Sequence, residues 1–133
     1  MKTTTILLLL FFGLSVSCLQ AQTTDVPQVK KGMFKVTVLY PNGEGKTFNM
    51  DYYTKKHMPL MAKFFNLKIY AIDKGIAGRG PNEPVPFLAI GYLYFDKLSD
   101  YENARALHAE EIKADFPKYT NITPLIQISE VIQ

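Results

Sequence analysis

The residues with the clearest chemical potential are a histidine and two tyrosines that lie close together in the sequence. His57 is one of the two histidines in the chain, and Tyr52 and Tyr53 shortly precede it. An imidazole can accept or donate a proton near neutral pH, or ligate a metal or haem iron. This pattern favours His57 as a general acid or base, with Tyr53 and Tyr52 positioning a small carbonyl or phenol. The alternative is a core histidine beside two core tyrosines, hydrogen-bonded and inert.

An amphipathic helix is predicted to position this group. Asp51 is a favoured N-cap residue, and the chain continues from it to Phe65 without glycine. One face of this helix contains Tyr53, His57, Leu60, Phe64 and, at its margin, Met61. The residues expected to bind the substrate are Leu60, Met61 and Phe64, together with Tyr92 and Tyr94 from a later strand. We expect an apolar pocket between this helix and a sheet.

Pro59 lies inside the predicted helix, close after His57. A proline inside a helix deletes one backbone hydrogen bond and crowds a carbonyl in the preceding turn, here that of Lys55. The turn that holds His57 is therefore predicted to be kinked or loosened.

The N-terminus has the pattern of an export signal. Lys2 precedes an apolar run at 6–12, and the segment 19–21 is typical of a cleavage site that ends at Ala21. The apolar run is too short to be preferred as a membrane-spanning helix. We therefore expect residues 1–21 to be removed, residues 22–32 to form a linker, and the protein to be periplasmic or secreted.

The composition of the remaining chain excludes several classes of protein. Cys18 is the only cysteine, so cleavage after Ala21 leaves no residue for a disulfide, although a lipoprotein anchored at Cys18 is the alternative. Removing Lys2 leaves 14 basic and 12 acidic residues, a formal charge of +2 that does not suggest a nucleic-acid partner. The remaining length suits one domain, which we place at residues 33–133.

Hydrophobic periodicity predicts four strands and two helices in this domain. Strands are expected at 33–40, 67–76, 87–95 and 121–132, and helices from 51 to about 66 and at 96–114. Asp96 or Ser99 is the expected cap of the second helix, and Ile122, Leu125 or Ile126, Ile128 and Val131 are the expected buried residues of the last strand. The order β-α-β-β-α-β is that of the ferredoxin-like split βαβ fold, an α+β fold with both helices on one face of an antiparallel sheet.

The other face of this sheet would be rich in Tyr and Phe. An apolar patch of that kind usually marks an interface. We therefore predict a homodimer with twofold symmetry, in which two such faces close into a dimeric α+β barrel.

Several short motifs in residues 33–133 resemble the EthD family, named after a protein of bacterial ethyl tert-butyl ether degradation. The motifs are DYY at 51–53, HMPL at 57–60, KGIAG at 74–78, PFLAIGYLYF at 86–95, DFPKYTN at 115–121 with Pro124, and QISE at 127–130. The resemblance implies the dimeric α+β barrel fold. It does not choose a reaction, since many members have no established activity, some are labelled reductases, and the wider superfamily includes isomerases, lyases, cofactor-free monooxygenases and haem-degrading proteins.

Further polar residues carry weaker signals. Asp115, Tyr119 and Asn121 match the last part of the family pattern, and we interpret them as capping the exit of the second helix rather than lining the pocket. His108 lies on an otherwise solvated face of that helix and is not paired with His57 as a metal ligand. No Cys, His, Asp or Glu cluster has the spacing of a structural metal site, and no cofactor is predicted.

Two functions from different classes remain. The first is an enzyme, reductase-like or lyase- and isomerase-like by resemblance, that acts on a small hydrophobic or aromatic compound by His57-assisted proton transfer or oxidoreductase-type chemistry. The second is a non-catalytic binding or accessory protein of a degradation pathway. Haem binding through His57 is a third, weaker hypothesis.

Overall fold

The computed structural model describes residues 26–133. The predicted signal peptide at 1–21, its cleavage site, the lipid anchor at Cys18 and the first part of the linker lie outside the described residues. No helix within 26–133 has the length and apolar character needed to cross a membrane.

A four-stranded antiparallel sheet forms one layer of the domain. The strands are β1 (Phe34–Pro41), β2 (Tyr70–Lys74), β3 (Phe87–Phe95) and β4 (Leu125–Glu130), in the spatial order β2-β3-β1-β4. Val36 of β1 pairs with Leu93 of β3 on one side and with Ile128 of β4 on the other. This topology confirms the predicted ferredoxin-like α+β fold.

Helices cover one face of this sheet. The first helical segment (residues 50–64) contains α1 (Met50–Tyr52), a π-helical turn (Tyr53–His57) and α2 (Met58–Phe64). The second helical segment (residues 98–118) contains α3 (Leu98–Leu107), α4 (Ala109–Asp115) and a 3₁₀ turn (Phe116–Lys118). Both segments contribute to one core with the sheet, whose buried residues are Val36, Tyr40, Tyr53, Met58, Met61, Phe65, Ala89, Leu93, Phe95, Tyr101, Tyr119 and Ile122.

The alternation of buried residues along β3 assigns the two faces of the sheet. Ala89, Gly91, Leu93 and Phe95 are buried under the helices, whereas the intervening residues are only half-buried. The almost continuous run of apolar residues in β3 is typical of a strand buried on both faces, but within one protomer only one face of β3 is fully buried. The half-buried side chains belong to what we call the outer face, the face of the sheet that the helices do not cover.

The first helical segment begins two residues earlier than expected. Asn49, not Asp51, is its N-cap, and the Asn49 side chain accepts a hydrogen bond from the Tyr52 amide at 3.0 Å. Asp51 instead pairs with Lys55 at 3.3 Å on the exposed surface. The predicted loosening before Pro59 is present as the π-helical turn, in which the Met58 amide donates to the Tyr53 carbonyl.

The second helical segment is interrupted at His108, where α3 ends and α4 begins. Neither Asp96 nor Ser99 caps α3; the N-cap position is Lys97, which makes no side-chain capping bond. The α-helical part ends at Asp115, and Pro117 lies in the 3₁₀ turn that follows.

The two edge strands are shorter than predicted. β2 spans only Tyr70–Lys74, and β4 leaves Leu125, Ile126 and Ile128 between 46% and 57% exposed. The predicted burial of Ile128 and of Leu125 or Ile126 is therefore wrong for the protomer. Ile126 and Ile128 face an open cavity beneath the helices, whereas Leu125, opposite Leu39, lies on the outer face. Ile122, just before β4, is buried as expected.

Candidate functional site

A buried histidine–carboxylate pair lies at the centre of the site. His57, at the end of the π-helical turn, places its Nδ1 atom 2.8 Å from Oδ2 of Asp115, the last residue of α4. The two side chains are only 7% and 5% exposed. A carboxylate can only accept in this contact, so Nδ1 carries the hydrogen and the neutral imidazole has Nε2 as its acceptor.

The Asp115 carboxylate is held in its charged form by further donors. The Tyr52 hydroxyl donates to Oδ1 at 2.7 Å, and the Lys118 ammonium lies 3.3 Å from the same oxygen. Burial alone would raise the pKa of Asp115, but the hydrogen bonds from Tyr52, His57 and Lys118 outweigh it and lower the pKa. Asp115 is therefore a buried anion near neutral pH.

His57 is kept neutral by its surroundings. Burial lowers the pKa of the imidazole below its ordinary value of 6.5, and the contact with Asp115 offsets this effect only in part. The Tyr53 ring stacks on the imidazole, with ring centroids 5.2 Å apart and planes 18° apart. Near neutral pH the site therefore offers an uncharged base with a fixed tautomer.

Two further tyrosines extend this arrangement. The Tyr119 hydroxyl lies 3.3 Å from His57 Nε2, and the Tyr40 hydroxyl lies 3.0 Å from that of Tyr119. Burial is the main cause that raises the pKa values of Tyr40, Tyr53 and Tyr119 above the ordinary value of 10.0. All three phenols remain protonated at neutral pH.

Gly91 makes room for Tyr53 against the sheet. A Cβ atom at position 91 would collide with the Tyr53 hydroxyl. The absence of a side chain on this strand residue therefore lets the phenol pack between the first helical segment and β3.

A cavity of about 570 Å³ opens beside these groups, between the helices and the β1–β4 side of the sheet. The polar residues that line its buried end are Tyr40, Tyr53, His57 and Tyr119. Four exposed residues also line the cavity: Glu102, Arg105, Ile126 and Ile128. The other lining residues are apolar or aromatic, among them Val36, Val38, Met58, Met61, Leu93 and Phe116. An apolar cavity of this size with a few convergent polar groups is typical of a small-molecule site.

The structure places the predicted site residues in different environments. His57, Tyr53 and Met61 line the cavity, and Tyr52 contacts Asp115 behind it. Leu60 packs half-buried against the core. Phe64 instead stacks on His108 at 4.1 Å between ring centroids and lines a separate surface cleft.

The expectation that Tyr92 and Tyr94 bind the substrate in this cavity is corrected by the strand register. Tyr92 pairs with Thr37 and Tyr94 with Lys35, so both lie on the outer face. The Tyr92 hydroxyl donates to Asp73 there at 2.8 Å. The sequence predicted a strand correctly, but for a continuously apolar strand it could not tell which face meets the helices.

Three members of the site were not predicted from the sequence. Asp115 was interpreted as a helix cap, but its side chain is buried against His57 and Tyr52. Tyr119 was grouped with it, and Tyr40 was considered only as a strand residue. The signal in the sequence was the family motif that contains Asp115 and Tyr119. When a fold buries polar residues such as these, they need hydrogen-bond partners.

The second histidine has no comparable setting. His108 Nδ1 is buried and lies 3.5 Å from Glu111 Oε1 without hydrogen-bond geometry. Among residues 26–133, no three His, Cys, Asp or Glu side chains are grouped so as to hold a metal ion. Both ring nitrogens of His57 have protein partners, so iron ligation by His57 would require Tyr119 to move.

The fold and the site together define an α+β protein of ferredoxin-like topology with an Asp–His–Tyr group on an apolar cavity. A family model described as the EthD domain matches residues 43–123, which include Tyr52, His57, Asp115 and Tyr119. The chain belongs to the EthD family, as the sequence motifs indicated.

Several solved structures are similar to this chain. An EthD-like protein from Ralstonia eutropha JMP134 is 36% identical, with a TM-score of 0.74 over 78% of this chain and 96% of that one. An ethyl tert-butyl ether degradation family protein from Bacillus halodurans C-125 is 22% identical, with a TM-score of 0.50 over 74% and 97%. A dimeric protein of unknown function with a ferredoxin-like fold, from Bacteroides fragilis, is more distant at 16% identity and a TM-score of 0.38, over 75% and 97%. No curated protein matches.

Proposed function

We propose that this protein is an enzyme that transfers a proton on a small hydrophobic or aromatic compound held in the cavity, with His57 as the general base. The observation that carries the proposal is the 2.8 Å contact between His57 Nδ1 and Asp115, which directs Nε2 towards the hydroxyl groups of the cavity. Isomerisation and elimination both begin with such a step.

Each part of the site has a role in this reaction. Asp115 fixes the tautomer of His57 and stabilises the imidazolium that forms when His57 takes a proton. Tyr52 and Lys118 hold the Asp115 carboxylate in place. A positioned acid–base group typically contributes about 10²- to 10⁴-fold in rate. For proton transfer the site itself supplies the groups required, and we favour it over oxidoreductase-type chemistry for that reason.

Hydrogen exchange is the most direct test, because it needs no knowledge of the final product. A panel of small enolisable ketones, lactones and phenols is incubated with the protein in D₂O, and deuterium incorporation is followed by NMR. We expect exchange with at least one compound, and its loss in His57→Gln with an unchanged circular dichroism spectrum. Equal exchange rates in the two proteins would contradict the proposal.

A non-catalytic binding or accessory role is the second candidate. It is favoured by one observation: both ring nitrogens of His57 already have protein partners, as in a structural histidine. Binding of panel compounds without any exchange, and unchanged by His57→Gln, would support this role.

We also propose that the protein acts as an exported homodimer. The outer face supports the dimer, because Leu39, Leu88 and Ile90 are half-buried in the protomer beside Tyr92 and Tyr94. Stable interfaces bury roughly 800 Å² per partner, which requires most of a face of this kind. The leader pattern at 1–21 supports export.

A further inference from the structure

The hydrogen bonds at the buried end of the cavity have a fixed direction, which starts at Asp115. The carboxylate of Asp115 accepts from Tyr52 and from His57 Nδ1, so neither of these bonds can be reversed while it is ionised. His57 is neutral, and its Nε2 atom can then only accept. The Tyr119 hydroxyl, 3.3 Å from Nε2, is therefore the donor in that contact.

The direction of the hydrogen bond between Tyr119 and Tyr40 is fixed in the same way. Because the hydrogen of Tyr119 is committed to His57, the Tyr119 oxygen must be the acceptor in its 3.0 Å contact with Tyr40. Tyr40 in turn has its only hydrogen committed to Tyr119. Tyr40 can therefore only accept a further hydrogen bond. The series of hydrogen bonds from Asp115 to Tyr40 ends in an acceptor at the cavity.

Tyr53 complements this acceptor with a donor. The Tyr53 side chain is 1% exposed and lines the same cavity. Its hydroxyl lies near enough to that of Tyr40 to raise the pKa of Tyr53 and to work against the rise in the pKa of Tyr40, as a donor to Tyr40 would, but no hydrogen bond of good geometry within residues 26–133 uses it. The Tyr53 and Tyr40 rings are neighbours, with centroids 5.5 Å apart. A ligand hydroxyl that enters between the two phenols can accept the Tyr53 hydrogen with better geometry than the Tyr40 oxygen does.

Resting on the proton-transfer function proposed above, we propose that the ligand of this cavity is a phenol or an enol whose hydroxyl group donates to the Tyr40 oxygen and accepts from the Tyr53 hydroxyl. An ether or a ketone oxygen could use only Tyr53, and would face the Tyr40 lone pairs without a hydrogen to share. The apolar wall of the cavity receives the rest of such a ligand.

The arrangement also defines how the ligand ionises. The O–H bond of the ligand breaks and its proton moves to Tyr40, the Tyr40 proton moves to Tyr119, and the Tyr119 proton moves to His57 Nε2. The products are a ligand oxyanion that accepts from Tyr53 and an imidazolium paired with Asp115. The net charge of the site is unchanged, and no oxidant or cofactor enters the step.

Two matched compounds test this inference: 4-nitrophenol, and 4-nitroanisole, in which a methyl group replaces the hydroxyl hydrogen. We expect the purified protein to bind 4-nitrophenol about tenfold more tightly, since one hydrogen bond is worth about that factor. The bound phenol should show the absorption band of the phenolate at a pH where the free compound is mostly protonated. Equal dissociation constants for the two compounds would overturn the inference.

Variants test the individual members of this hydrogen-bond series. Tyr40→Phe should abolish the preference for 4-nitrophenol without weakening the binding of 4-nitroanisole, and Tyr70→Phe, on the exposed edge strand β2, is the matched control. Tyr119→Phe, a second variant in case Tyr40→Phe fails to fold, should keep binding but lose the phenolate band. A preference that survives Tyr40→Phe, or a phenolate band that survives Tyr119→Phe, would overturn the inference. Failure of both compounds to bind would count against the proposed function as well, whereas equal binding would count only against the hydroxyl contact.

Discussion

His57 and Asp115 are 58 positions apart in the sequence, yet their side chains meet at 2.8 Å in the interior. The contact joins the first helical segment to the end of the second, and the buried Asp115 carboxylate is compensated by His57, Tyr52 and Lys118 together. A buried charge without its partner costs several kcal/mol, so the pair contributes both to the stability of the fold and to the chemistry of the site.

Replacing Asp115 by Asn should damage the site more than the fold. The amide cannot stabilise an imidazolium, and it can turn its NH₂ group towards His57, so we expect proton exchange to fall at least 100-fold. The free energy of unfolding, measured by urea denaturation, should fall by about 1–3 kcal/mol. Asp51→Asn removes an exposed pair with Lys55 and should change neither quantity appreciably. Full exchange in Asp115→Asn would exclude Asp115 from the mechanism.

Stability should fall in acid in two separate windows. The pKa of His57 is lowered in the folded state, so the unfolded chain takes up a proton first and stability declines as the pH falls below about 6.5. The pKa of Asp115 is also lowered, so its contribution is complete above its ordinary value of 3.8 and is lost as the pH falls through the folded value. Urea denaturation between pH 4.5 and 8 should show the first window with a slope of up to about 1.4 kcal/mol per pH unit. His57→Gln should flatten it, and an unchanged slope in that variant would show that His57 is not the group responsible.

Substituting Gly91 by Ala should disturb the site through Tyr53. The new Cβ would collide with the Tyr53 hydroxyl, and overpacking of this kind costs about 1–3 kcal/mol in stability. Adding Tyr53→Phe removes the atom in collision and should restore part of the loss. Gly43→Ala is the control, because its Cβ would meet only the Lys46 side chain at an ordinary 3.5 Å. Additive effects of the two substitutions would show that the contact is not the cause.

The outer face can be tested for self-association by introducing a charge. Ile90→Asp places a carboxylate on this face beside Asp73, its register partner on β2. If two outer faces pack together, this change should convert a dimer into a monomer in native mass spectrometry and light scattering. Ile76→Asp, at a loop position that is 91% exposed, should leave the assembly unchanged. A wild-type monomer at micromolar concentration would refute the dimer.

The proposed export signal at residues 1–21 gives a prediction about the N-terminus of the protein. Material purified from the periplasm or medium of the native host should have the mass of residues 22–133, and Cys18→Ser should leave its location unchanged. A lipid-modified N-terminus at Cys18, lost in Cys18→Ser, would identify a lipoprotein instead.

Local patterns predicted the elements of the fold but not the partners of the site. β3 was predicted with its observed bounds, because nine consecutive residues favour strands and turn residues precede them. The N-cap was misplaced because Asn49 and Asp51 are both favoured there, and only the backbone decides between them. The role of Asp115 depends on a contact with a residue far away in the chain, which no local periodicity encodes.

The exposed β4 strand shows a further reason for error. Ile126 and Ile128 alternate as buried residues should, but the layer that would cover them is missing at that edge of the protomer. A hydrophobic pattern indicates that a residue is suited to burial, not that its own chain buries it.

The π-helical turn explains how one carboxylate can bind two residues of the same helix. Tyr52 and His57 are five positions apart, which in a regular α-helix would point their side chains about 140° away from each other. The hydrogen bonds between residues five apart widen this turn and bring the two side chains round towards the same side, where both reach Asp115. The turn therefore acts as a one-residue insertion in the helix. Regular α-helical winding of the same residues would leave either the tyrosine or the histidine unable to reach the acid.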